Sequence, residues 1–128
     1  MNMLDHIGIG VTDYGKSKAF YDLALAPLGI VKVMEVTVAE TGHSDAAGYG
    51  ADRPFFWFGR VERVTPVHVA FTVKNRTMVD AFYKTALAAG GKDNGAPGLR
   101  PHYHADYYGA FVLDPDGNNI EAVCHAPT

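Results

Sequence analysis

The sequence predicts an α+β protein made of two copies of one strand–helix–three-strand (βαβββ) unit. Shifting the chain by 62 residues places His6 on His68, and nine of the 24 positions from His6 to Gly29 are then identical without a gap. Repetition at a fixed spacing indicates a duplicated supersecondary unit. We therefore expect one domain over residues 1–128, formed from modules at about 3–60 and 66–125.

The first module opens with an alternating, β-branched segment, which predicts a strand over 3–11. Asp13 is suited to cap a helix over about 14–26, which Gly29 would end. The predicted apolar face of this helix carries Ala19, Phe20, Leu23 and Pro27. Strands are then expected over 30–38, 46–50 and 54–60, with a polar stretch around His43 between the first two.

The second module repeats this order, with a strand over 67–73 and a helix over about 76–89 capped by Asn75. A segment rich in Gly and Pro, 92–106, predicts a short strand and a loop. The chain then forms a hairpin with arms over 107–113 and 118–124. Its turn, Asp114-Pro115-Asp116-Gly117, has the residues that a type I turn prefers.

Composition excludes several classes of function. A hydrophobic fraction of 48% with 20% charged residues is typical of a globular chain. The net charge of −3 gives no basic surface for nucleic acid or an anionic membrane. No segment approaches the roughly 20 apolar residues of a membrane-spanning helix. The single cysteine, Cys124, cannot form an intrachain disulfide, and the N-terminus lacks the pattern of a signal peptide. We expect a cytoplasmic protein whose Cys124 is buried and inert.

Two histidines occupy equivalent positions in the duplicated modules. Strand alternation places His6 beside Gly8 on one face, and His68 beside Ala70 on the corresponding face. These small neighbours leave room for a cavity, which Glu121 on the last strand can enter. Two imidazoles and one carboxylate suit a divalent first-row metal with open coordination positions. The alternative is that each histidine is a satisfied core residue near a strand end and Glu121 is a solvated edge residue.

Three segments together resemble the vicinal-oxygen-chelate superfamily: LDHIGIGV and PVHVAFTV, each followed by an AFY-containing helix, and FVLDPDGNNIEAV. This superfamily includes glyoxalase I, extradiol dioxygenases, fosfomycin-resistance enzymes and bleomycin-binding proteins. The resemblance implies tandem βαβββ modules that form a glyoxalase-like paired barrel, with mixed sheets curled around a central cavity. It also implies a homodimer and one divalent ion, Fe, Mn, Ni or Zn, held by His6, His68 and Glu121.

The chain departs from parts of that pattern. Phe56 or Trp57 falls where glyoxalase I carries a fourth ligand, and neither offers oxygen. Only seven residues follow Glu121 and none is Lys or Arg, unlike the phosphonate-binding tail of fosfomycin enzymes. The prediction is a dioxygenase-like or lyase/isomerase-like enzyme for a small oxygenated substrate. The alternative is a metal-free protein that sequesters an aromatic or hydrophobic molecule against Trp57.

The segment 99–108 is rich in polar aromatic residues that suit a second layer around a metal. His104 and Tyr108 are the predicted catalytic pair, with His104 as the general acid or base. The predicted substrate-binding residues are Phe56, Trp57, Arg100, His102, Tyr103 and Tyr107, with Arg100 suited to a carboxylate. The alternative is a surface loop fixed by aromatic packing. His43 and His125 are expected to be solvated.

Overall fold

The computed structural model describes residues 3–128, which form two four-stranded mixed sheets, each with one long helix. The first half contains β1 (Ile7–Val11), α1 (Tyr14–Ala24), β2 (Val31–Val36), α2 (Val38–Thr41), β3 (Ala46–Gly50) and β4 (Pro54–Arg60). The second half contains β5 (His68–Val73), α3 (Arg76–Ala88), β6 (Lys92–Leu99), β7 (Tyr108–Leu113) and β8 (Asn119–Cys124). The predicted α+β class with tandem βαβββ units is confirmed.

The two sheets have the same topology. Sheet 1 has the order β1-β4-β3-β2, and sheet 2 has the order β5-β8-β7-β6. In each sheet the first strand pairs in parallel with the last, and the other pairs are antiparallel. Both sheets are curled and neither closes into a barrel. The order places the strands that carry His68 and Glu121 side by side.

Helix caps form where the sequence predicts them. Asp13 accepts a hydrogen bond from the Lys16 backbone N–H at 3.0 Å, and Asn75 accepts one from Met78 at 2.9 Å. Each bond satisfies an N–H that has no partner within the helix. After α1, a short 3-10 turn leads to Gly29. Its φ of +74° lies in the left-handed region, which glycine adopts without steric cost.

The buried face of α1 differs from the predicted one. Phe20 and Tyr21 are buried, whereas Ala19 and Leu23 face solvent. The apolar face is rotated because Tyr21 packs against three aromatic residues of sheet 1, with centroid separations from 5.2 to 6.4 Å. The segment before His43 also differs from the prediction, because it contains the short helix α2, which the sequence did not predict. None of the described helices has the length and apolar character needed to cross a membrane.

The β7–β8 turn connects the two halves of the molecule. The Tyr21 hydroxyl of α1 donates to Asp114 at 2.6 Å, and the Thr12 backbone N–H donates to Asp116 at 3.0 Å. Asp114 is 3% exposed and also accepts bonds from the backbone N–H groups of Asp116 and Asn118, both at 2.9 Å. The turn is therefore a polar clamp between the modules. The sequence predicted a turn at this position, which the hydrogen bond from the Gly117 N–H to the Asp114 carbonyl closes, but it did not predict this contact.

Candidate functional site

One face of sheet 2 is covered by α3, and the other carries two of the three predicted ligands, His68 and Glu121. Along β5, Val69 and Phe71 are buried, whereas His68, Ala70 and Thr72 are exposed, as strand alternation predicts. The register places Glu121 of β8 between Ala70 and Phe111. We call the surface that carries His68, Ala70 and Glu121 the open face of sheet 2.

Glu121 is the central polar group of this face. Its side chain is 1% exposed, whereas that of the neighbouring His68 is 52% exposed. His68 Nε2 lies 2.8 Å from Glu121 Oε1, and the Tyr107 hydroxyl donates to Oε2. Burying a carboxylate costs several kcal/mol unless it is hydrogen-bonded, and these two partners satisfy both oxygens. Glu121 is therefore held in one orientation toward His68 and not in a solvated position.

Tyr107 reaches Glu121 because the backbone at Gly109 leaves room for it. A Cβ at Gly109 would lie 3.2 Å from Glu121 Oε2 and 3.2 Å from a Tyr107 ring carbon. The pKa of Tyr107 is raised well above its ordinary value, mainly by burial and secondly by the hydrogen bond to Glu121. Tyr107 therefore keeps its proton near neutral pH and acts as the hydrogen-bond donor.

The segment between β6 and β7 lies over the Phe111 side of the open face. The Arg100 guanidinium lies 5.3 Å from the Phe111 ring centroid and donates to the carbonyls of Ala96 and Gly98. The Tyr103 ring lies 4.8 Å from that of Tyr107. Among the predicted substrate-binding residues of this segment, Tyr107 thus contacts the open face at Glu121, and Arg100 contacts it at Phe111.

The predicted catalytic pair is placed differently. His104 Nε2 lies 2.7 Å from His125 Nδ1, the two rings stack, and His104 has no hydrogen bond to Glu121. The Tyr108 hydroxyl donates to Asp80 of α3 at 2.6 Å, on the helix-covered side of sheet 2. Tyr107 immediately precedes β7 and Tyr108 is its first residue, so their side chains point to opposite faces and only Tyr107 reaches the open face. His125 is exposed, as expected, and its partner is His104.

Two further predicted residues lie on sheet 1. Phe56 is fully buried in the core, 5.2 Å from Tyr21, and so does not line an open surface. Trp57 lies on the opposite face, packed over Gly48 and paired in register with Gly8. A Cβ at Gly8 would meet no atom within 4 Å, so sheet 1 also has an open face beside Trp57.

His6 lies at the start of β1 and is separate from the Glu121 pair. It is 59% exposed, and its Nδ1 lies 2.7 Å from Asp5. Across residues 3–128, no three His, Cys, Asp or Glu side chains come together in a way that could hold a metal. Within one chain, therefore, His68 and Glu121 meet, and the predicted third donor does not join them. A metal fits this donor set only if another ligand is added.

The structure thus combines a paired βαβββ architecture with a buried acid beside an exposed imidazole on one sheet face. The match to the family model of the Glyoxalase/Bleomycin resistance protein/Dioxygenase superfamily covers residues 3–122. The chain therefore belongs to this superfamily, and the resemblance noted in the sequence is confirmed. Among curated proteins, none matches the chain.

Solved structures show the same architecture. The chain is similar to a glyoxalase/bleomycin resistance protein from Albidiferax ferrireducens, with 29% identity, a TM-score of 0.73 and coverage of 96% of this chain and 98% of that one. It is also similar in fold to a family enzyme from Burkholderia phytofirmans, with 20% identity, a TM-score of 0.70 and coverage of 96% and 98%. A fosfomycin resistance protein from Listeria monocytogenes has 15% identity, a TM-score of 0.69 and coverage of 97% and 93%.

Proposed function

We propose that this protein is a metal-dependent enzyme that acts on a small oxygenated substrate, with the ion held by His68, Glu121 and His6. The observation that carries this proposal is the buried Glu121 carboxylate, held 2.8 Å from the exposed His68 on an open sheet face. A buried acid beside an accessible imidazole is a pair of donors that needs little rearrangement to share a cation.

The donor set suits Fe(II), Mn(II), Ni(II) or Zn(II), and three protein ligands leave positions for substrate. When bound, such an ion acts as a Lewis acid that polarises the oxygens of the substrate. The chain itself supplies positioning: Tyr107 holds a proton on its hydroxyl oxygen beside Glu121 Oε2. We propose that Arg100 orients an anionic group of the substrate and that Trp57 supplies an aromatic wall.

We propose further that His6 comes from a second copy of the chain, in a homodimer that brings sheet 1 of one protomer opposite sheet 2 of the other. Two observations support this arrangement. His6 is exposed and separate from the Glu121 pair in its own chain. The two sheets also leave complementary half-sites on exposed faces, Gly8 with His6 on one and Ala70 with His68 on the other.

Metal content tests the ion. Protein purified without chelator and reconstituted with each candidate metal should bind close to one equivalent per chain, and His68→Ala should bind far less. The matched control is His43→Ala, which removes an exposed imidazole next to α2 and should bind like the wild type. Equal metal binding by His68→Ala and the wild type would refute the site.

A mixed dimer tests the arrangement across two copies. His6→Ala and His68→Ala chains carry different affinity tags, are produced together, and the mixed species is isolated. If ligands come from both copies, one of the two sites in the mixed dimer keeps all its ligands, so metal returns at about half the wild-type content. If each site lies within one chain, every site lacks a histidine and no metal returns. That result would rule out a site shared between two copies of the chain, but it would not contradict metal binding by the protein.

A second candidate is a metal-free binding protein for an aromatic compound. It is favoured by one observation: both oxygens of Glu121 already have donors from the same chain, so the face is satisfied without an ion. Absence of metal from both wild type and His68→Ala after reconstitution would support this candidate. If metal does bind, oxygen uptake with catechols separates a dioxygenase from a lyase or isomerase.

A further inference from the structure

A cavity outside the Glu121 pair is lined by residues of both sheets, from the beginnings of β1 and β4 and from β5. It has a volume of about 510 Å³ and includes neither His68 nor Glu121 among its lining residues. Pockets for small ligands usually have volumes of roughly 300–1,000 Å³. The cavity is therefore large enough for one small organic molecule, and it shares only His6 with the proposed metal ligands.

The floor of this cavity is aromatic and aliphatic. The rings of Phe55 and Phe71 lie 6.3 Å apart at an interplanar angle of 53°, and both line the cavity together with Ile7 and Ile30. Phe71 is held in place by an edge-on contact to the buried Phe56, with ring centroids 5.3 Å apart. Tilted rings present both a face and an edge, which is the arrangement that another aromatic ring prefers to contact.

The mouth of the cavity carries a cation that is only weakly engaged. Arg53 is 86% exposed, and its one ion pair in the described chain is a contact of 3.8 Å to Asp5. The Asp5 carboxylate has a closer partner in His6, whose Nδ1 lies 2.7 Å away. The guanidinium donors of Arg53 therefore remain available, and a guanidinium binds a carboxylate through two parallel hydrogen bonds.

We infer that this cavity binds a small aromatic carboxylate, with its ring packed against Phe55 and Phe71 and its carboxylate on Arg53. The apolar floor supplies the affinity for the ring, and the charged mouth fixes which end of the molecule faces outward. This site is separate from the Glu121 pair and does not rest on the proposed function. It therefore forms with or without a metal on His68.

Benzoate is the probe, and titration calorimetry on chelator-treated protein is the measurement. Benzoate should bind about tenfold more tightly than benzyl alcohol, the neutral ring of similar size, because only benzoate pairs with the guanidinium. Arg53→Gln should reduce benzoate affinity about tenfold and leave benzyl alcohol unchanged. Arg60→Gln, at the other end of β4 and outside the cavity, is the matched control and should leave both affinities unchanged.

A blocking variant tests the location. Thr72 lines the cavity and is exposed, so Thr72→Phe should fill the space without disturbing the core, which its melting temperature will verify. It should abolish binding of both probes, whereas His68→Ala should bind benzoate like the wild type. The inference is overturned if the wild type does not bind benzoate, if Arg53→Gln binds it equally well, or if a folded Thr72→Phe retains it. Loss of benzoate binding in His68→Ala would place the carboxylate on the other face and also overturn it.

Discussion

Removing one hydroxyl from the clamp between the modules should destabilise the whole domain. Tyr21 is fully buried, and its hydroxyl donates to the 3% exposed Asp114 at 2.6 Å. In Tyr21→Phe, Asp114 Oδ2 keeps only the Asn118 side-chain donor, at 3.0 Å. A hydrogen bond to a charged, buried acceptor contributes about 1.5–3 kcal/mol. For a domain of this length, we expect Tyr21→Phe to lower the melting temperature by about 6–10 °C.

The duplication supplies the control for this experiment. Tyr83 occupies the position in α3 that Tyr21 occupies in α1, but it is only partly buried. Tyr83→Phe should therefore cost less than about 0.5 kcal/mol. Urea unfolding at one fixed protein concentration measures both variants. A double-mutant cycle with Asp114→Asn should give a coupling of at least about 1 kcal/mol between Tyr21 and Asp114. Equal stabilities for the two phenylalanine variants would refute the clamp.

Two further predictions concern the space beside Glu121 and the charge of Glu35. In Gly109→Ala the new Cβ would lie 3.2 Å from Glu121 Oε2, so this variant should lower the free energy of unfolding in urea by about 1 kcal/mol. The control is Gly8→Ala, whose Cβ meets no atom within 4 Å and which should be neutral or stabilising. Equal effects of the two substitutions would contradict the packing described at Gly109. Glu35 accepts bonds from Tyr14, Lys18 and Lys32, led by Tyr14, which lower its pKa from 4.5 to about 2. A lowered pKa stabilises the fold above pH 4.5 and loses that effect as the pH falls toward 2. The melting temperatures of wild type and Glu35→Gln should therefore differ at pH 6 and converge near pH 2; a constant difference would exclude this origin.

Alternation along the strands was the most reliable guide to the site. Counting back from a turn at 114–118 places Phe111 opposite Glu121 and Gly109 opposite Val123, which puts Tyr107 and not Tyr108 on the same face. The sequence therefore contained the signal that selects Tyr107, although proximity along the chain favoured His104. The His104–His125 contact could not be inferred in the same way, because it depends on the path of an irregular loop.

Other features depend on packing between elements and leave no local pattern. The buried face of α1 is determined by the aromatic residues of sheet 1, so Leu23 is exposed although Ala19, Phe20 and Pro27, at helical spacing from it, are apolar. The position of His6 relative to Glu121 depends on how the two modules meet. Duplication predicts equivalent places within each module, but it does not set the distance between them.

The polar turn between β7 and β8 has a consequence for the chemistry of the neighbouring strand. Asp114 fixes the length of this turn, and the length determines which residues of β8 pair with β7. A single inserted residue that shifted this pairing would turn Glu121 toward α3 and present Ile120 or Ala122 to the outside. The orientation of the acid thus depends on a turn several residues away, and a change of length there would abolish the site without substituting any of its residues.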